Sequence, residues 1–482
     1  MPQLSRRTFL ELASLASAGL IGGCGGVTRI IGSDNFPVLV FSDVHFQPFI
    51  QPFLPNTTTP NAATMAANIA LVAQLDAADT SQWPAIFQGT ANTTNSAPSS
   101  LGNDTNYALL SLALASIKQN LGASPVVLFT GDFLGHGLDQ LYPAYSVNKT
   151  ADEASAFVDK TLTFVLQQIK TACGNLPVLF AVGNCDSYTG DGPDSTFLAN
   201  NASQLYSTLL SGAVNQQDFL TTFKAGGYYA AEPMGSNLMV ISLNTIAFSP
   251  LVQNADGSEN NAAAVGTELA WLDSKLAAAQ VTGQKVWLLM HAPPGADERT
   301  TASNIQSSGH LAAATMMWEP NYQATFLQTL AKYSGVISMM LAGHTHMDEY
   351  RIVLPNIVLE ITPSISPCFS NDPAYKLFTL DQQTFAPVDF SSVNCNLASA
   401  PAQFSDYYTF SQAYSMSGSL PLLLASLYPQ LVTNSSLQAL YRGYYYSGNN
   451  SPSPITDLSW PAYWAGIGNM WEQDLVNAVN AF

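Results

Sequence analysis

Five short apolar runs in this chain each end abruptly in residues that bind metals or turn the backbone. They read FPVLVFSDVH at 36–45, SPVVLFTGDFLGHG at 124–137 and LPVLFAVGNCD at 176–186, then QKVWLLMHAPPG at 284–295 and GVISMMLAGHTHMDE at 335–349. Runs such as VVLF and VLFAV lack polar alternation, so they read as strands buried on both faces. Helical segments are predicted between them, at 106–121, 152–172, 266–280 and 321–333. Strand, helix, strand repetition is the pattern of an α/β layered domain. In open α/β sheets ligands gather beyond the carboxyl ends of the strands, which is where all five clusters fall.

Other segments fill in the organisation. Residues 228–245, YYAAEPMGSNLMVISLNT, read as a strand–turn–strand unit that carries the sheet between halves. Residues 50–105 are rich in Asn, Thr, Ser and Pro, with a helical patch near 61–77; they are expected to form an insertion over the site. A catalytic domain is expected over 36–395. After residue 396 the segments SDYYTFSQAY, LPLLLASLY and SSLQALYRGYYY predict a small helical C-terminal subdomain over 396–482.

The 482 residues are 47% hydrophobic, ample for a packed core. Charged residues make up 10%, against roughly 25% in an average globular protein. Fifteen basic against thirty-three acidic residues give a net charge of -18, which excludes a generally basic surface for duplex nucleic acid. A monomer is expected.

The start reads as targeting rather than fold. Arg6 and Arg7 in SRRTFLEL, before a moderately apolar stretch, resemble a twin-arginine export signal over residues 1–23. Small residues before Cys24 resemble a lipoprotein processing site, which implies a lipid anchor and a periplasmic or cell-surface location in a bacterium. The remaining cysteines, Cys173, Cys185, Cys368 and Cys395, allow three complete pairings in an oxidising compartment, among which the sequence does not choose; Cys368 with Cys395 is the preferred expectation.

Together the five strand ends offer Asp43, His45, Asp132, Asn184, His291, His344 and His346. Carboxylate and amide oxygens mixed with imidazoles suit zinc, iron or manganese. Seven donors are too many for one tetrahedral ion, so two ions are implied, with one carboxylate able to bridge. Such a pair clamps the oxygens of an in-line displacement at phosphorus. Each piece alone is weak: a D-x-H at a strand end is commonly a turn and cap. Five of the six histidines fall in these clusters, however, and His310 lies outside them.

The order D-x-H, GD, GN, H, GHTH resembles the calcineurin-like metallophosphoesterase superfamily. Finer features resemble its acid sphingomyelinase-like phosphodiesterase branch: His136 four residues after Asp132, HAPPG followed by WEPNY, PSISPCFSNDPAYKLFTLD, and the late YRGYYYS. The resemblance covers nearly all of residues 36–450. It implies a four-layer αββα sandwich of two mixed sheets flanked by helices. It also implies that Asp43, His45 and His346 hold one metal and that Asn184, His291 and His344 hold the other. Asp132 would bridge them together with an attacking hydroxide, and the metals would be zinc.

In most relatives a histidine follows the asparagine and protonates the leaving oxygen; here that residue is Cys185. A thiol is a weak hydrogen-bond donor, so His136 is the substitute proton donor expected from the resemblance. Asp186 is expected to hold the local turn. Asp348 and Glu349 are candidates to orient ligand imidazoles. The reaction expected is hydrolysis of a soluble phosphodiester, nucleotide-like or a phospholipid headgroup. A phosphomonoesterase and a catalytically weakened lipoprotein that binds a phosphorylated ligand are the alternatives.

Overall fold

The computed structural model describes residues 35–50, 61–89, 95–147, 150–210, 212–250, 261–449 and 455–482. The signal and Cys24 lie outside them, as does part of the 50–105 insertion.

Thirteen strands build the centre among the described residues. They are β1 (Asn35–Phe41), β2 (Val127–Phe129), β3 (Val178–Phe180), β4 (Tyr229–Ala231), β5 (Pro233–Ser236), β6 (Leu238–Ser242) and β7 (Lys285–Leu289). The rest are β8 (Ile337–Ala342), β9 (Glu349–Leu354), β10 (Ile357–Ile361), β11 (Ala374–Asp381), β12 (Pro387–Cys395) and β13 (Phe404–Thr409). One six-stranded sheet has the order β13-β12-β11-β1-β2-β3, and the other β4-β6-β7-β8-β10-β9. Both are mixed. The β1, β2 and β3 neighbours are parallel, and so are β6, β7, β8 and β10. The remaining pairs, including β1 with β11 and β10 with β9, are antiparallel.

The two sheets pack face to face, and the period-2 geometry of a strand explains how one sequence serves two cores. Val240, Trp287, Leu289, Met339, Leu341 and Val358 share a core with first-sheet residues such as Val38, Val40 and Phe378. The alternate residues Met239, Ile241, Val286, Leu288, Met340 and Leu359 enter a second core with the helices Ala262–Thr282 and Pro320–Lys332. Across the sheets, the Phe36 ring stacks on Trp287 at 6.4 Å, and Trp287 Nε1 donates to Phe385 O at 2.7 Å. Helices Tyr107–Asn120 and Ala151–Cys173 cover the outer side of the first sheet. The second of these starts at a capping box, Thr150 with Glu153, which satisfies donors that a helix start otherwise leaves open. Helix, two sheets and helix make the αββα sandwich expected from the sequence.

A buried ion triad ties the sheets together. Lys376 Nζ, on β11, lies 2.8 Å from Asp348 Oδ1 and 2.9 Å from Glu360 Oε2 of the opposite sheet. Tyr408 donates to the other Asp348 oxygen at 2.9 Å. Asp348 therefore anchors the sandwich rather than an imidazole, which corrects the role expected for it.

The C-terminal region is helical, as expected, with helices Leu420–Gln430, Ser435–Tyr445, Trp460–Gly468 and Glu472–Asn480. Its first segment differs. Of SDYYTFSQAY, read from sequence as helical, Phe410–Ala413 is a helix, but Ser405 to Thr409 belong to strand β13 on the edge of the first sheet, in register with β12. Phe404, Tyr407, Tyr408 and Thr409 are all residues that fit a half-buried pleated surface, and that tendency prevails. No helix among the described residues is long and apolar enough to cross a membrane. All four described cysteines are free, so the expected Cys368–Cys395 disulfide is absent. Cys395 is fully buried in β12, while the Cys368 thiol is turned toward His346 Nδ1 at 3.5 Å.

Candidate active site

The carboxyl ends of β1, β2, β3, β7 and β8 open into one cleft of about 390 Å³. The loops after these strands are bent by backbone conformations that side chains rarely adopt. Asp43, His45, Asp132, His344 and His346 all have positive φ, between 42° and 72°. Left-handed residues other than glycine cost about 1–3 kcal/mol each when surrounding structure must hold them, and such strain gathers at functional sites. The glycines of the GN and GH pairs answer a different demand. A Cβ at Gly183 would collide with the Asp132 carboxylate and amide, and one at Gly343 would lie 2.6 Å from Asp43 Oδ2. Close backbone approach is what places the following Asn184 and His344 in the cleft.

The seven residues singled out from sequence converge. His45 Nε2 lies 3.0 Å from His346 Nε2 and 3.7 Å from Asp43 Oδ1, and His346 Nε2 lies 3.4 Å from Asp43 Oδ1. On the other side, His291 Nε2 is 3.1 Å from Asn184 Oδ1 and 3.3 Å from His344 Nδ1, and the last two are 3.0 Å apart. Between the groups, Asp132 Oδ2 is 3.2 Å from His45 Nε2 and 3.1 Å from His291 Nε2.

Hydrogen bonds behind these rings define which atoms face inward. His45 Nδ1 donates to Leu134 O at 3.2 Å, and His291 Nδ1 to Thr130 O at 2.8 Å. Their Nε2 lone pairs consequently point into the cluster. The outer contacts of the imidazoles are thus backbone carbonyls and the Cys368 thiol. Glu349, expected as an orienting group, instead faces a second buried carboxyl, Glu298. Both line the same cleft.

Two imidazole nitrogens 3.0 Å apart, each within 3.7 Å of one carboxylate oxygen, form a set of donor atoms that a cation among them would satisfy. The spacing agrees with that: donors about 2.0–2.1 Å from a tetrahedral metal lie about 3.3 Å from each other. Asp43, His45 and His346 offer donor atoms all within 4.8 Å of one another, as do Asp43, Asp132 and His291. The electrostatics agree too. Burial would raise the Asp43 carboxyl, but His346, His45 and His291 outweigh it and hold it at about 2. Asp132 is driven lower still by His291 and His45 against its own burial. Burial, with the neighbouring imidazole charge, keeps His344 at about 4 and His346 at about 3. His291 runs the other way: against its burial, the Asp132 and Asp43 carboxylates raise it to about 9, a positive charge that a metal ion beside those carboxylates would replace. Ionised carboxylates and neutral imidazoles are the forms that bind metals.

Asp186 holds two of the loops in place. Its carboxylate accepts from the amides of Phe133 at 2.9 Å, Gly183 at 3.0 Å, Asp132 at 3.2 Å and Leu134 at 3.3 Å. It sits 2% exposed. Cys185, next to it, is buried and free; its amide donates to Asp132 Oδ1 at 2.8 Å.

His136 stands at the edge of the cleft, its ring stacked on that of His45. Asp104 receives both its Nδ1 hydrogen, at 2.9 Å, and its backbone amide hydrogen, at 2.8 Å. Burial opposes the charge on His136, but Asp104 overcomes it and raises the imidazole to about 9. Asp104 itself is held at about 2 by His136 against its burial. Asp104 was not among the residues singled out from sequence. Phe369, Arg299 and the tyrosines Tyr445 and Tyr446 complete the wall.

A two-sheet sandwich with seven nitrogen and oxygen donors at its strand ends is the architecture of a metal-dependent hydrolase of phosphoric esters. The model of the calcineurin-like phosphoesterase family matches residues 36–348, and the chain belongs to that family. Sphingomyelinase phosphodiesterase D of Dictyostelium discoideum is 26% identical over 443 residues, 88% of this chain and 91% of that one. Sphingomyelinase phosphodiesterase C of the same organism is 25% identical over 389 residues, 74% of this chain and 78% of its own. The human cyclic GMP-AMP phosphodiesterase SMPDL3A is 25% identical over 368 residues, 72% and 74% of the two chains. Among solved structures, a dimetal phosphatase from Danio rerio aligns with 77% of this chain and 98% of its own, at 12% identity and a TM-score of 0.39.

Proposed function

We propose that this hydrolase acts on phosphodiesters with the help of two divalent ions, zinc being the pair its donors suit best, with iron and manganese next. One observation carries the reading: a single carboxylate oxygen, Asp132 Oδ2, lies between His45 Nε2 and His291 Nε2 at 3.2 and 3.1 Å. A carboxylate between two donor sets is what a shared ligand requires. Asp43, His45 and His346 would hold one ion, and Asn184, His291 and His344 the other, with Asp132 common to both. When bound, such a pair makes water more acidic and screens the phosphoryl oxygens.

The chain's own groups supply the rest. Asp186 fixes the loops that carry Asp132 and Asn184. His136, kept protonated by Asp104, gives its proton to the departing oxygen. Cys185, in the position where relatives carry a histidine, leaves that task to His136. The Arg6-Arg7 pair and Cys24 support export and a lipid anchor at a periplasmic or outer face.

The test is release of nitrophenol by the zinc-loaded protein from bis(4-nitrophenyl) phosphate and from 4-nitrophenyl phosphate. Faster turnover of the diester is expected. Faster turnover of the monoester would instead make this a phosphomonoesterase. Turnover of neither ester, with metal bound, would make it a binding protein.

A further inference from the structure

Asp104, His136 and Cys368 meet at the edge of the cleft. Each offers one atom able to bind a metal, and the three atoms lie within 4.8 Å of one another. His136 Nδ1 is 2.9 Å from Asp104 Oδ1. None of the three belongs to the seven donors described above. The His136 side chain is 29% exposed, so an ion can reach the group from solvent. Donors about 2.0–2.3 Å from a tetrahedral ion lie about 3.3–3.6 Å apart. A slight opening of the Asp104–His136 contact and a turn of the short Cys368 side chain bring the three into that range.

The surroundings prepare the sulfur for a cation. His346 Nδ1 lies 3.5 Å from Cys368 Sγ. That imidazole turns Nε2 toward His45 and Asp43, so its hydrogen sits on Nδ1 and is donated to the sulfur. A hydrogen bond accepted by sulfur favours the thiolate, the form in which a thiol coordinates. Asp104 is fixed by the His136 amide at 2.8 Å, and Ser366 Oγ makes a long contact of 3.4 Å to its other oxygen. Carboxylate, imidazole and thiolate together suit a borderline-soft divalent ion such as zinc. Three protein donors leave a fourth position to water.

The other thiol nearby makes a weaker set. Cys185 shares the 4.8 Å range with His136 and His45. It is only 3% exposed, however, and His45 Nε2 is directed at the first group of donors.

We propose that Asp104, His136 and Cys368 form a third cation site, separate from the two-ion cluster, and that an ion held there stops proton delivery by His136. Binding sends the Nδ1 proton of His136 and the thiol proton of Cys368 to solvent. The imidazolium becomes a neutral imidazole whose remaining N–H is a poor acid. The same metal thus activates at the seven inner donors and inhibits at these three. The inhibition rests on the phosphodiesterase reading above; the binding does not.

The experiment titrates the protein, already holding two zinc ions, with cobalt(II). Zinc binds such donors more tightly than cobalt and stays in place, and a cobalt–thiolate bond gives a charge-transfer absorption that nitrogen and oxygen donors lack. Wild type is expected to take up one further ion per chain, to show that absorption, and to lose turnover in parallel. The loss should be about 10²-fold or more on an alkyl diester and slight on bis(4-nitrophenyl) phosphate, as for removal of a general acid. In Cys368→Ser the absorption should vanish, and half-inhibition should need about 10-fold more cobalt or beyond, since a lost ligand costs at least what a lost supporting partner does. Cys185→Ser should keep the absorption. Each variant's turnover at two ions is its own reference, and its Tm reports folding. No further ion, an absorption that survives in Cys368→Ser or vanishes in Cys185→Ser, or an equal fall on both esters overturns the proposal. Turnover of neither ester at two bound ions overturns the phosphodiesterase reading and the inhibition with it, while stoichiometry and absorption still decide the site.

Discussion

The His136 ring lies flat on the His45 ring, with centroids 4.3 Å apart and planes at 9°. A candidate metal-facing imidazole thus forms the platform for the candidate proton donor. Asp104 holds that donor from the far side through Nδ1. The proton to be delivered and the site that receives the phosphate are fixed against one another.

The Asp104–His136 pair dictates a pH window. His136 is raised from 6.5 to about 9, so its share of stability is complete below 6.5 and is lost as pH climbs through 9. Asp104 is lowered from 3.8 to about 2, so its share is complete above 3.8 and is lost as pH falls through 2. Between those limits the pair is intact and His136 carries its proton. The alkaline limb of kcat/KM is expected near 9 in wild type. In Asp104→Asn it moves down toward 6.5, and the stability lost by wild type between 6.5 and 9 is no longer seen. pH–rate profiles and urea midpoints check this; an unmoved limb would remove His136 from proton transfer.

Cys185 sets a leaving-group preference. Restoring the imidazole in Cys185→His should raise turnover of alkyl diesters, whose leaving oxygens need a proton, by about 10²-fold or more. Nitrophenyl diesters should change little. A series of diesters graded by leaving-group acidity measures the slope. Equal or lower rates across the series would contradict the assignment of this position.

Asp186 is predicted to be the support whose loss does most harm outside the donor set. In Asp186→Ala four amide hydrogens lose a buried acceptor, at a cost of about 2–4 kcal/mol. Metal affinity should fall about 10–100-fold as the loops carrying Asp132 and Asn184 loosen. Denaturant unfolding and metal titration read the two effects separately.

Much of this site was legible because apolar runs and donor clusters sit next to each other in the chain. The run LPVLFAV followed by GN, or SMMLA followed by GHTH, names both the strand and what its end carries. The two-core role of β6, β7 and β8 was not legible, since LMVIS, KVWLL and ISMMLA are apolar but for one residue each and periodicity shows no face. Asp104 escaped notice because its partner lies thirty-two positions on, and an acid just ahead of a helix reads as a cap. Arg299 and Glu298 belong to a helix too short for any sequence pattern. Asp348 was misjudged because nearness in sequence to His346 says nothing of direction: the chain enters β9 there and turns the carboxylate toward Lys376. Residues 405–409 show the same limit, since aromatic residues suit an edge strand as well as a helix and only pairing with β12 decides.

The most direct test of the central claim is the metal content of the protein after dialysis against zinc, measured in wild type, His45→Ala and His344→Ala. The account predicts two ions per chain in wild type and about one in each variant, with wild-type turnover abolished by chelation and regained on reloading. Full turnover by wild type holding a single ion or none would contradict it.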